Sequence, residues 1–324
     1  MANLAWSHGD DATQAKPRNC LMLRRFALLG SLLFLAGAIV ASPVRAGDNV
    51  VVGVLENLSP NLQARIQQAY GTAARSVIRV AFRRVADGWE AFPDDIGNLD
   101  QLQSASQQFP VSLDWTVAFD GKSLGRIQSA RPKQWLAFSD VGLQLPLAGE
   151  QLPHVGQPGS DFAQWGADGA VYRPLILVSA PNVQDPDGWQ RAAEDDSLVS
   201  RGMDAFRAAV QKENAKFRLE DGQVVLLKAY RSRSGTMLFA LLASGQAPAP
   251  DEVPGPEWSP HWFVDDGSGE VRFLGSELML VDAGDYAGDG HSELIFAKSS
   301  YDYDGYLMFY DDFRRSAAFG WNYQ

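Results

Sequence analysis

Asp-Gly occurs eight times along the chain, at Asp87, Asp120, Asp168, Asp187, Asp221, Asp266, Asp289 and Asp304. A type I′ turn needs positive φ at both central residues, and Asp-Gly tolerates this, so the dipeptide between alternating apolar runs marks a hairpin. Leu113, Trp115, Val117 and Phe119 alternate with Asp114, Thr116 and Ala118 before Asp120-Gly121. Ile78, Val80 and Phe82 alternate with Arg79, Ala81 and Arg83 before Asp87-Gly88. Further strands are predicted over 135–139, 172–178, 223–230, 236–243, 271–274, 277–281, 293–297 and 305–310. Phe319, Trp321 and Tyr323 alternate like a closing strand. The chain reads as mainly β, a succession of antiparallel hairpins.

Two segments carry a different period. Ser59-Pro60, NLQARIQQAY and Gly71 supply an N-cap, a first-turn proline and a glycine stop, which predicts a helix. Over about 196–217, Val199, Met203, Phe206, Val210 and Phe217 recur at helical spacing, and that stripe is expected to face the core. SGQAPAPDEVPGPEWSP, 244–260, reads as a Pro-rich linker. The sequence thus divides into an N-terminal extension with a secretory signal over 1–46, a β-rich region over 47–243, the linker, and a C-terminal subdomain over 261–324. That last piece is too short to hold much core of its own and is expected to pack on the rest.

Export is read from RRFALLGSLLFLAGAIVASPVRA, 24–46. Arg24 and Arg25 precede an apolar run, and Val44-Arg45-Ala46 ends it as small-x-small. The run is shorter than the ~20 residues of a membrane-spanning helix, so cleavage is expected rather than anchoring. Met22 would open a well-proportioned signal, which makes it the expected start of translation. Cys20, the single cysteine, then falls outside the protein, and no disulfide or thiolate chemistry is available from Gly47 onward. Removing residues 1–46 subtracts five Lys/Arg from 28 and two Asp/Glu from 39, leaving a net charge of −14. Such a surface repels phosphate backbones and anionic lipid, which argues against nucleic-acid and membrane partners and suits cations. The expected location is periplasmic or extracellular.

One loop carries chemistry. LMLVDAGDYAGDGHSELIFA, from 278, reads as strand, glycine-rich loop and strand. Asp285, Asp289 and Glu293 stand at four-residue steps, and Gly288 and Gly290 flank the middle one. In a calcium loop, carboxylate oxygens converge on a hard cation, a glycine permits the sharp turn, and a backbone carbonyl joins the shell. On that pattern Asp285, Asp289 and Glu293 are metal ligands through their side chains and His291 through its carbonyl, with Ca2+ as the ion. The alternatives are another ion, or a hydrogen-bonded turn kept for its geometry.

The pattern resembles the FG-GAP and VCBS-type repeats of integrin-like β-propellers, in which a strand, an acidic glycine-containing loop and a strand recur once per blade. The resemblance covers about 278–297, and it implies an irregular β-propeller-like chain of hairpins with one or two inserted helices. Where the family pattern has Asp or Asn at the third ligand position, this chain has Ala287. Asp302 and Asp304, in SSYDYDGY, are the reserve ligands if that turn lies alongside.

Nothing else has motif strength. His154, His261 and His291 lack metalloprotease spacing, and neither a nucleophile elbow nor a phosphate loop is present. Glu90 beside Trp89 and Asp114 beside Trp115 evoke a glycosidase pair. Asp114, however, falls on the strand face opposite Trp115, and core tryptophans are the simpler account. The function expected is an exported non-catalytic binding or assembly protein, with no catalytic residue assigned. Its partner would be a protein or polysaccharide at the cell envelope. The alternative is a secreted hydrolase acting on polysaccharide.

Overall fold

The computed structural model describes residues 50–57, 64, 76–86, 88–92, 112–130, 144–147, 174–193, 195–219, 222–244, 255–300 and 302–322. The signal 24–46 and the strand predicted at 135–139 lie outside these residues. So does the helix predicted after Ser59, apart from Ala64, which is helical. No helix among the described residues is long and apolar enough to cross a membrane.

Antiparallel strands form three sheets. Sheet I has the order β3-β2-β1-β7-β4-β5, with β6 pairing β2. Its members are β1 (Val51–Asn57), β2 (Ser76–Val85), β3 (Gly88–Ala91), β4 (Ser112–Phe119), β5 (Lys122–Ala130), β6 (Gln144–Pro146) and β7 (Leu175–Val178). Sheet II is the meander β8 (Gln190–Arg191), β9 (Val224–Arg231), β10 (Met237–Ala243), β11 (His261–Asp265) and β12 (Val271–Ser276). Sheet III is the meander β13 (Leu278–Gly284), β14 (Glu293–Ser299), β15 (Tyr303–Tyr310) and β16 (Arg315–Asn322). Among the described residues none of the three closes into a barrel.

Asp120-Gly121 does what its chemistry predicts. Phe119 pairs with Lys122 across it, and both turn residues have positive φ, 52° and 65°. Asp266-Gly267 sits in the β11–β12 connection. Asp304-Gly305 departs from the expectation: it lies inside β15, where Gly305 pairs with Gly320 of β16. The turn of that hairpin is Asp311-Asp312-Phe313, three successive non-glycine residues in the left-handed region.

The helix, α1 (Asp196–Glu213), starts where Asp195 accepts the Ser197 N–H and ends four residues short of the predicted limit. Its buried stripe is Leu198, Gly202, Phe206, Ala209 and Val210. Val199, Met203 and Phe217 are only partly buried, so the stripe is rotated from the expected one. Gly202 explains the rotation. A Cβ there would lie 2.8 Å from the Phe239 ring and 2.9 Å from Leu241, so its missing side chain lets the helix lie close on sheet II.

The layers follow from which core each face feeds. Sheet I packs on sheet III through Val52, Val54, Ala81, Ile295, Met308 and Phe319. The opposite face of sheet III, with Leu280, Phe296 and Phe309, packs on Trp262, Leu238 and Tyr230 of sheet II. The far face of sheet II receives α1 through Phe206, Phe239 and Phe263. Sheet III is therefore the middle layer, buried on both faces. This explains β14, in which Glu293 to Ala297 are all buried. The Pro-rich segment does not separate sheets. It joins β10 to its hydrogen-bonded neighbour β11, and the change of sheet comes at Glu277, after β12.

Candidate functional site

The acidic loop joins β13 to β14, as its flanks predict, and two of its carboxylates turn inward. Asp285 accepts the N–H groups of Gly288 (2.6 Å), Asp289 (3.0 Å) and Gly290 (2.9 Å). The two glycines have φ of 72° and 92°, which lets successive amides point at one carboxylate. Glu293, only 3 % exposed, accepts Trp89 Nε1 (3.0 Å) with Oε1 and the N–H groups of Tyr286 (2.7 Å) and Ala287 (3.3 Å) with Oε2. Burial pushes the Glu293 carboxyl up to about 7, against the pull of these donors, and the Asp289 charge adds to the rise.

Asp289 and His291 behave differently. Asp289 is exposed, lies 3.3 Å from the Arg84 guanidinium, and accepts the His291 N–H at 3.2 Å. His291 is exposed. Ala287 packs its methyl group against the core between sheets I and III, and its amide serves Glu293. An Asp at that place would bring a second carboxylate to an apolar contact. Asp302 and Asp304 are not alongside. Asp304 pairs with Ser299, at the far end of β14 from Glu293, and seven residues of strand put the two ends about 20 Å apart. Among the described residues no group of three or more His, Asp or Glu side chains is arranged to hold a metal ion.

The loop has a partner that sequence reading passed over. In the segment 184–189 before β8, Asp185 accepts the N–H groups of Gly188 (2.8 Å) and Trp189 (2.6 Å) and the Ser292 hydroxyl (2.6 Å). Asp187 accepts the Ser292 N–H (2.9 Å), and the Asp285 N–H donates to the Gln184 carbonyl (2.7 Å). Two Asp-rich turns thus interlock. The local signal was Asp-Pro-Asp-Gly, a turn composition that fixes its own geometry but says nothing of what it touches. Below the loop, buried Asp282 accepts the Tyr286 hydroxyl (3.0 Å) and the Gly121 N–H (3.2 Å), tying sheet III to the β4–β5 turn.

Asp289, His291 and Glu293 line a cavity of 360 Å³ together with Arg84, Tyr310 and Arg315. The other acid–tryptophan pairs are structural. Trp115 is buried and donates to Ser129 Oγ (2.8 Å), while Asp114 is exposed and accepts from Gln128. Glu90 pairs with Arg83.

These partners separate the two aspartates energetically. Asp285→Ala leaves three loop amides without their acceptor and is expected to cost about 2 kcal/mol. Asp289→Ala removes an exposed pair and is expected to cost less than about 1 kcal/mol. Chemical denaturation of the two variants checks the order. No family model, no curated protein and no solved structure matches the chain.

Proposed function

We propose that the protein is an exported, non-catalytic binding or assembly module of the cell envelope, in which the acidic loop is a brace. The observation that carries this reading is the set of six N–H bonds received by Asp285 and Glu293 from Trp89 and the loop's own backbone. Carboxylates occupied in this way hold a turn rigid and present its outer edge. On this reading the β13-loop-β14 unit is one FG-GAP or VCBS-type repeat, and its strand-loop-strand form supports this. The sheets are taken as propeller-like blades, supported by the face-to-face packing of sheet III on sheets I and II. Export rests on the signal read at 24–46, and N-terminal mass analysis of the secreted protein is expected to find Gly47 first.

The repeat resemblance makes Ca2+ the ion to try. To bind, it would have to replace amide hydrogens on Asp285 and Glu293 and take Asp289 from Arg84. A brace that is complete without the ion melts at the same temperature in calcium and in chelator. A calcium-dependent rise in melting temperature that Asp289→Ala removes would instead make the loop a cation site, since only a ligand bound to the native state raises stability.

A second reading, hydrolysis of polysaccharide, has one observation in its favour. Glu293 lines a cavity and titrates near 7, which suits a general acid at neutral pH. Reducing-sugar release from a glycan panel, lost in Glu293→Gln, would establish it over the binding reading.

A further inference from the structure

Sheet II ends in an edge that is only half covered. β8 pairs with Tyr230 and Arg231 of β9, and the Ala192 N–H donates to the Ala229 carbonyl at 2.9 Å. Beyond that point Val224–Lys228 has β10 on one side and no strand on the other among the described residues. A stretch of about 17 Å therefore turns N–H and C=O groups outward without a ladder partner, which is a template for another strand.

Its side chains are apolar and exposed. Val225 and Leu227 are each 40 % exposed, two of only four large hydrophobics so exposed among the described residues. Apolar side chains scattered singly over a surface need no account, but these two stand two positions apart on one free edge. The register with β10 skips Leu227, so Val225 pairs with Leu242 and Lys228 with Ala240. Leu242 and Ala240 are two apart on β10, which puts Val225 and Lys228 on the same face of the sheet. That face carries an apolar side chain and a cation side by side.

Charge selects what would pair there. Lys228 lies near Arg191 of β8, and no carboxylate is within ion-pair reach of either among the described residues. Burial, and then the Arg191 charge, hold the Lys228 ammonium below the ordinary lysine value. A chain with 39 Asp and Glu against 28 Lys and Arg has thus left two neighbouring cations unneutralised at one edge. A second copy is the wrong occupant. Its matching stretch, VVLLK, offers no acid and adds a lysine and an arginine of its own. A bulge and a lysine are also the usual guards against self-pairing of edges. A strand that brings carboxylates turns the same guard into recognition. We propose that this edge binds an extended acidic segment of a partner protein by strand addition, with an apolar residue beside Val225 and a carboxylate beside Lys228 and Arg191. The proposal deepens the binding-module reading, on which it rests, by making the partner a protein.

The test is fluorescence anisotropy of a labelled eight-residue peptide, repeating valine-threonine-glutamate-threonine, titrated with the full chain at low salt. Saturable binding is expected. The same peptide with lysine for glutamate, and the acidic peptide N-methylated throughout, are expected not to bind, since one lacks the charge and the other the backbone donors. Lys228→Gln is expected to weaken the acidic peptide about five-fold with an unchanged melting temperature. Arg191→Gln, on an exposed side chain, provides a second variant if Lys228→Gln fails to fold, and is expected to weaken binding similarly. No saturable binding of the acidic peptide, equal binding of either control peptide, or equal affinity in the variants overturns the proposal. So does dimerisation of the chain alone that Leu227→Glu abolishes, which would make a second copy the occupant. These outcomes leave the brace and binding readings standing, because the first falls on calcium-dependent melting with no peptide present and the second on glycan turnover lost in Glu293→Gln.

Discussion

Glu293→Ala is expected to lower stability by about 4 kcal/mol at mildly acid pH, and the melting temperature by about 10 °C. The substitution strands three donors at once: Trp89 Nε1 from sheet I and the Tyr286 and Ala287 amides from the loop. Trp89 is itself only 4 % exposed, so water cannot easily replace the lost acceptor. The same carboxylate makes stability depend on pH. Its folded pKa of about 7 exceeds the ordinary 4.5 because burial disfavours the charged form. Native protein therefore holds this proton more tightly than unfolded chain does. The associated stability is fully present below about pH 4.5 and is lost as pH rises through about 7, for a total of about 3 kcal/mol. Glu293→Gln is neutral throughout and lacks that slope, although its amide nitrogen opposes one of the donors. Urea denaturation of wild type and Glu293→Gln at about pH 5 and about pH 8 reads the effect as a narrowing of their difference by about 3 kcal/mol. A constant difference would mean that Glu293 stays ionised across the range, with its donors outweighing burial.

What could be read beforehand was whatever the chain dictates locally. Asp120-Gly121 makes its turn because two residues with positive φ are all a tight hairpin needs. The stretch from Asp196 makes its helix because a cap and a 3.6-residue period suffice. The acidic loop was legible as a turn between strands for the same reason, whereas Asp285, read as a metal ligand, instead accepts three amides of its own loop. Among the strands that patterning passes over, β1 (VVGVLEN) and β11 (HWFVD) are nearly continuous apolar runs buried on both faces, so they lack the alternation that announces a strand. Asp304-Gly305 was misplaced because the dipeptide permits a turn without requiring one. The stacking of sheet III between sheets I and II depends on contacts between strands that are not neighbours in any sheet, such as Trp262 with Phe296 and Trp89 with Glu293. So does the interlock of Asp185 and Asp187 with Ser292. No local signal encodes either, and the reach of Asp302 and Asp304 towards the loop was an inference of that long-range kind.

β2 shows where that limit lies and supplies the other large effect. Its alternation puts Ile78 and Val80 towards one side and Arg79 and Ala81 towards the other, which reads as a solvent face. Instead every residue from Ser76 to Phe82 is buried, because sheet III covers the second side. A bulge opposite Val52 and Gly53 leaves Ala81 unpaired with β1 and shifts the phase, so Phe82 joins Ala81 in that covered core. Arg79 is accommodated there by a bidentate pair with Glu56, at 2.7 and 2.8 Å, and by the Trp321 ring 4.3 Å from its guanidinium carbon. The Tyr306 hydroxyl donates to the same Glu56 oxygen at 2.9 Å. Arg79→Ala therefore leaves a mostly buried carboxylate without its cation and is expected to cost about 4 kcal/mol. Arg79→Lys keeps the charge, loses the fork and is expected to recover only part of this. The triple variant Arg79→Met, Glu56→Leu, Tyr306→Phe removes every polar member together and is expected to lie closer to wild type than Arg79→Ala does. Thermal denaturation of the three proteins orders them. A cost below about 1 kcal/mol for Arg79→Ala, the value of an exposed pair, would mean that water reaches this face and that sheet III does not seal sheet I.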